Sequence, residues 1–349
     1  MVDIIVLAIS FLLILAGADL FTNGIEWFGR KLGLGDGAVG SVLAAVGTAL
    51  PETMIPIIAI AFSDRAETSG IGIGAILGAP FMLATLAMFV TGLAVMWQAR
   101  HRAAGDVMPV DVATLGLDIR TFALAYAIAI GAAFLPVDPT WPKLVVAAGL
   151  VLIYGLYVRR HFQADAAGEL ADLAPLRFRQ LDRAHRHAPG PPRLWIVNIQ
   201  VVTALAFIVL GAIAFVGAVE HVAYAIGVSQ VLLALIVAPI ATELPEKFNS
   251  IIWVRQGKDT LAMGNITGAM VFQASLPTVV ALVLVPGAWV IAPGSYVAFA
   301  SAGIAFLSAA AIFIPMIRRG RLIGKSLLLG GLFYAAYLGI VVAAILRPA

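Results

Sequence analysis

The chain has 349 residues, 62% of them hydrophobic and 12% charged, with a formal net charge of +3 and a mean hydropathy of +1.01. Soluble domains carry about a quarter charged residues, so a water-soluble fold is excluded: one core could not hide this much apolar surface, whereas repeated bilayer spans require it. The absence of cysteine excludes disulfides, thiolate metal sites and a cysteine nucleophile. The 22 basic residues are spread over membrane-adjacent connections without an aromatic stacking platform, which argues against nucleic-acid binding.

Apolar runs of about 20 residues predict ten spans, near residues 4–28, 37–62, 71–97, 120–136, 142–158, 194–219, 227–253, 261–286, 292–316 and 325–346. The first run lacks a basic leader and a small-residue cleavage site, so it reads as a retained helix. Of the Lys and Arg residues, only Arg65, Lys143 and Arg347 fall on the even-numbered side, and Lys247 lies within a span; the odd-numbered connections hold the rest. The positive-inside rule then places those connections in the cytoplasm and both termini outside, in a multi-pass cell-membrane protein.

The first unit, 1–160, is expected to hold five helices, the polar stretch 161–193 to be a cytoplasmic linker, and 194–349 to hold five more. Within the linker, Glu169 to Arg179 has the pattern of a short interfacial helix, with a plain solvated linker preferred over a regulatory element. His101, His161, His185 and His187 are assigned to cytoplasmic loops and His221 to an outer boundary, so no histidine metal cluster is expected.

Sliding the chain on itself by 194 positions superposes Gly17 on Gly211, Phe21 on Phe215, Glu26 on Glu220, Thr48 on Thr242, Pro51 on Pro245 and Glu52 on Glu246. Apolar bias can match Ala and Leu, but not two Glu, a Pro and a Thr in one register. At an offset of 190, Gly74 and Gly78 match Gly264 and Gly268, a Gly-x-x-x-Gly spacing that lets helices approach closely. Five helices is an odd number, so the second unit enters the membrane from the opposite side. The expected fold is therefore all-α, with two inverted repeats and a site near the midplane.

The repeated motifs are Gly47-Thr48-Ala49-Leu50-Pro51-Glu52 and Ala241-Thr242-Glu243-Leu244-Pro245-Glu246. Each proline lacks the N–H that would bond the carbonyl four residues earlier, so the oxygens of Gly47 and Ala241 are freed. Thr48 and Glu52, like Thr242 and Glu246, are four apart and share a helical face. An intramembrane carboxylate is costly unless neutralised, and two of them with hydroxyl and carbonyl oxygens make an all-oxygen set. That set suits calcium better than zinc, with magnesium or manganese also accommodated.

Glu243 either pairs with Lys247 four residues on or serves as a third carboxylate ligand; the first half has Ala49 and Thr53 there. Glu26, Glu220 and Asp19 are read as interfacial or structural. Asn198, Gln200, Asn249 and Gln273 are read as interhelical hydrogen-bonding residues, with Gln273 also a candidate ligand because it follows the second glycine block.

These residues resemble the calcium/cation antiporter superfamily of prokaryotic sodium/calcium exchanger-like proteins, over nearly the whole chain. The family pattern is a Gly-Thr-Ser-x-Pro-Glu-like motif followed by Gly-Asn-x-x-Gly-Ser-Asn in each repeat. The resemblance implies that Glu52 and Glu246 are the central calcium carboxylates and that Thr48 and Thr242 supply backbone oxygens. It also implies transported cations and no cofactor. Where the family has serine after the second glycine, this chain has Ala79 and Ala269, and the polar residue four further on is Leu83 in one block and Gln273 in the other. Those positions help form sodium sites in family members, so either sodium or protons fit as counter-ion. The expected function is exchange of a divalent cation, most simply calcium, for sodium or protons by alternating access; a channel, an intramembrane hydrolase and a non-transporting sensor are the weaker alternatives.

Overall fold

The computed structural model describes residues 2–49, 53, 66–164, 173–182, 191–225, 244–292 and 295–346, with side chains for all but a few helical positions, Glu246 among them. In chain order the elements are α1 (Val2–Lys31), α2 (Asp36–Ala49), and α3, which runs continuously through Ala66–Met82, Leu83–Ala87 and Met88–Gln98. They continue with β1 (Val107–Met108), α4 (Val112–Gly131), α5 (Trp141–Ala164), α6 (Leu194–Ala225), α7 (Leu244–Arg255), α8 (Asp259–Leu284), α9 (Tyr296–Arg319), β2 (Leu322–Ile323), α10 (Gly324–Leu327) and α11 (Leu329–Leu346). Among the described residues, eight helices are long and apolar enough to cross a membrane, and α2 is a shorter apolar helix. The protein is thus all-helical and multi-pass. The predicted spans 37–62 and 227–253 fall partly outside the described residues.

The sequence reading misplaces one boundary by more than two turns. The fourth span was expected to start at residue 120, but α4 starts at Val112, because Asp111 caps it by accepting hydrogen bonds from the Ala113 and Thr114 amides. Burial pushes the Asp111 carboxyl up, but hydrogen bonds from the Thr114 side chain and backbone and the Ala113 amide outweigh it and hold the group below its ordinary range. Asp118 and Arg120 therefore lie on a helix, not in a loop.

The helices pack around α8, whose residues from Leu261 to Ser275 are all buried. Against it lie α2, α3, α4, α5 and α7. The pair α1 and α6 packs along its length in antiparallel register: a Cβ on Gly17 would meet Ile208 Cγ1 at 2.9 Å, and one on Gly211 would meet Ile14 Cγ1 at 2.9 Å. These are equivalent positions at the 194-residue offset, so each glycine is the groove for the other half's isoleucine.

On the face carrying the basic connections, polar contacts tie the helix ends together. Arg102 pairs with the buried Asp259 and also donates to the Val254 carbonyl at 3.0 Å. Glu26 accepts from Trp253 Nε1 at 2.7 Å and pairs with Lys258, which makes it a structural link between α1 and the α7–α8 corner. β1 and β2 pair antiparallel there. Part of the linker is also docked. Asn23 and Trp27 of α1 donate to the Ala174 carbonyl, Leu176 is buried beside Trp27 and Ile196, and Arg177 pairs with Asp19. Residues 173–182 are thus anchored at a few points while half of them stay exposed, and their one regular element is a 3-10 turn at Arg177–Leu181. On the opposite face Lys143 is buried and donates to the carbonyls of Pro286 and Trp289 at 2.7 and 2.9 Å.

Candidate cation site

The first motif rides on α2, which enters at Asp36 on the basic-connection face. Thr48 is twelve residues on, roughly 18 Å along the axis at 1.5 Å per residue, or about half of a 30 Å hydrocarbon core. Between Val39 and Ala44 the helix widens into π-helical turns, a distortion that frequently accompanies functional sites.

Two close contacts fix where α2 sits. A Cβ on Gly47 would come within 2.7 Å of Phe21 Cζ, so the motif glycine is required by packing against α1, whatever its carbonyl does. On the other side, a Cβ on Gly268 would lie 2.0 Å from the Ser41 carbonyl oxygen and one on Gly264 2.8 Å from Ser41 Oγ. The second half's glycine block is therefore the groove that seats the first half's motif helix, as its Gly-x-x-x-Gly spacing suggested.

That seating brings Thr48 to Asn265 in a fully buried position. Thr48 Oγ1 lies 3.0 Å from the Ala44 carbonyl and 3.1 Å from Asn265 Oδ1. One hydroxyl proton cannot serve two acceptors. Rotating the Asn265 amide so that its nitrogen faces the hydroxyl satisfies both, because the hydroxyl then donates to Ala44 and accepts from Asn265. Beyond Thr48, the Thr53 hydroxyl donates to the Ala49 carbonyl at 2.7 Å.

Of the other predicted site residues, Gln273 is buried on α8, two turns beyond Asn265. Glu52, Ala241, Thr242 and Glu243 lie outside the described residues; Glu246 lies on α7, next to Pro245. Lys247 is buried. Gln200 behaves as read, donating to the Leu20 carbonyl at 2.9 Å and to Asn23 Oδ1 at 3.0 Å. Asn198 is instead exposed. Asn249, one turn after Glu246, is fully buried with neither polar atom hydrogen-bonded, so the interhelical role expected of it is not what it performs. An unpartnered buried amide costs about 1–3 kcal/mol and marks a place where a further polar partner is due.

The sequence reading missed one polar centre altogether. Asp118, fully buried on α4, gathers Ser41 of α2, Tyr157 and His161 of α5 and Thr267 of α8. His161 had been assigned to a loop. It lies on the last turn of α5 at 2% exposure.

An all-helical, multi-pass chain in which the motif helix of one half lies in the glycine groove of the other half has the architecture of an ion-transporting membrane protein. The sodium/calcium exchanger protein family profile matches residues 2–162 and 197–346, and the chain belongs to that family; its members are transporters and not enzymes. Among relatives, the chain is 25% identical over 292 residues, 82% of each sequence, to the candidate antiporter CaxA of Alkalimonas amylolytica. Among solved structures it is similar to the sodium-calcium exchanger NCX_Mj. Against the form soaked with 2.5 mM Na+ and 0.1 mM Ca2+ the TM-score is 0.69 at 17% identity, covering 100% of this chain and 99% of that one. Against the form soaked without either ion it is 0.69 at 18% identity, covering 99% and 100%.

Proposed function

We propose that this protein is a secondary antiporter of the cell membrane that exchanges a divalent cation, calcium by preference, for sodium or protons. The observation that carries the reading is the Thr48–Asn265 contact: it joins the motif helix of the first half to the glycine block of the second, in the buried middle of the chain. In this reading Glu52 and Glu246 hold the cation, helped by the oxygens of Thr48, Thr242, Gly47 and Ala241, with Gln273 and Glu243 at the margin. The unsatisfied Asn249 amide, one turn from Glu246, fits a further oxygen donor. The reciprocal Gly17–Ile208 and Gly211–Ile14 contacts support two inverted repeats, which this reading completes as ten helices with both termini outside.

Exchange follows from shared ligands. Two carboxylates in lipid are tolerated only when neutralised, so the apolar barrier is crossed with either the divalent cation or its replacement bound, not with the site empty. Alternating access then converts competition for one site into counter-transport. The test is calcium uptake into proteoliposomes under sodium and proton gradients imposed separately. Gradient-dependent, saturable uptake is expected under one of them. Uptake under neither overturns the proposal, and unitary currents without a gradient would identify a channel instead.

A further inference from the structure

The Asp118 cluster is unlike the ionic ties on the basic-connection face, because the charge on its carboxylate has no Lys or Arg partner among the described residues. Oδ1 receives Tyr157 Oη at 3.0 Å and His161 Nε2 at 2.8 Å; Oδ2 receives Ser41 Oγ at 2.8 Å and Thr267 Oγ1 at 2.5 Å. Four donors fill the four acceptor positions of an ionised carboxylate and leave no room for its own proton. Asp118, Ser41 and Thr267 are at most 1% exposed. The cationic candidate that touches Asp118 is His161, so the charge is balanced when His161 carries a second proton and unbalanced when it does not.

Two of the donors have a second acceptor within reach. Thr267 Oγ1 lies 3.0 Å from the Met263 carbonyl and Tyr157 Oη lies 3.1 Å from the Ser41 carbonyl. Rotation of either hydroxyl therefore keeps every group bonded while a proton is added to or removed from the cluster. The remaining titratable groups facing the cluster are on α5 and α4. Tyr154 packs against Tyr157, with ring centres 5.9 Å apart, and Asp111, the α4 cap, feels the charge of His161. From α2 and α8 the side chains that bond to Asp118 are hydroxyls, Ser41 and Thr267, and Asp36 opens α2 where its first residues pack on α5.

We propose that Asp118 and His161 form a proton-binding site, separate from the Glu52 and Glu246 cation site, that sets how firmly α2 is held. With the proton bound the cluster is neutral, and Ser41 Oγ ties α2 to Asp118 of α4, on which Tyr157 of α5 and Thr267 of α8 also converge. Without it a buried negative charge remains, which favours any arrangement that lets water or a cation reach Asp118, and Ser41 is the tie that must give way. Ser41 lies two turns before Thr48 on the same helix, so release at one end is felt at the other. His161 lies on the last turn of α5, beside the linker, so the proton comes from the basic-connection side. Acid on that side slows the carrier and alkali speeds it.

The consequence for flux rests on the antiport reading, so the test has two arms. In proteoliposomes with the ion gradient fixed, pH on the basic-connection side is varied over about 5.5–8.5, the range in which histidine charge changes. Uptake by the unmodified chain is expected to rise with pH. In His161→Gln, which keeps a donor but cannot titrate, and in Asp118→Asn, that rise is expected to be lost. The same rise in both variants overturns the proposal. The second arm needs no transport: in 15N-histidine-labelled full-length protein in lipid nanodiscs, the signal that His161→Gln removes is expected to titrate over the same range, and Asp118→Asn to change that titration. A His161 signal that does not titrate overturns the proton site even if antiport is real. A titrating signal in a protein without flux would instead sink the antiport reading and leave the proton site standing.

Discussion

The two halves of this protein are alike where α1 and α6 cross and unlike at their glycine blocks. At the α1–α6 crossing, Gly17 faces Ile208 and Gly211 faces Ile14, the same residue pair used twice. At the glycine blocks the halves part: the second has Asn265, Thr267 and Gln273 where the first has Ala75, Leu77 and Leu83. The first half's motif helix is thus served by a polar groove, whereas the corresponding block of the first half offers apolar side chains. Symmetry has been kept at the crossing, where packing requires it, and lost at the glycine blocks, where only the second half carries polar side chains at these positions.

Single methyl groups can break or sharpen this contrast. Gly268→Ala is expected to have the largest effect, because its Cβ would meet the Ser41 backbone oxygen at 2.0 Å and neither helix can yield without moving. Gly264→Ala meets first the Ser41 hydroxyl, a side-chain end that can rotate away. Thermal unfolding of detergent-solubilised protein should show Gly268→Ala unfolded or strongly destabilised and Gly264→Ala clearly milder; equal costs would mean that the α2–α8 seat is misplaced.

Smaller effects are expected at the symmetric crossing. Gly17→Ala and Gly211→Ala each press on an isoleucine Cγ1 at 2.9 Å with a backbone oxygen just behind, at 3.1 and 3.2 Å respectively. Overpacking of this kind costs about 1–3 kcal/mol. The two costs should agree closely, and each should be relieved by shortening its own isoleucine, Ile208→Ala or Ile14→Ala. Unequal costs, or relief by the wrong isoleucine, would contradict a two-fold relation between the halves.

How much of this was legible in the sequence varies with the kind of interaction. Eight of the spans, the paired glycines of the α1–α6 crossing and the second glycine block were readable because lipid imposes length and apolarity on every span and because close packing leaves glycine at fixed spacing. Glu26 was rightly read as structural from its place near a span end. The Asp118 centre was not readable, because an apolar window pushes charged residues into loops. That reading began the fourth span at residue 120 and left His161 outside the fifth. Its partners, Ser41, Tyr157, His161 and Thr267, come from three separate helices, and no local spacing joins them. One signal was available: Asp111, followed by Thr114, is a helix start, and counting from it puts Asp118 two turns inside the helix.

The central claim is that Glu52 and Glu246 together carry the transported cation, and it is tested most directly by measuring calcium flux in proteoliposomes containing Glu52→Gln or Glu246→Gln. Each substitution keeps the side-chain size and removes the charge, so each alone is expected to abolish gradient-driven flux while leaving the protein folded. Normal transport by both variants would contradict the assignment.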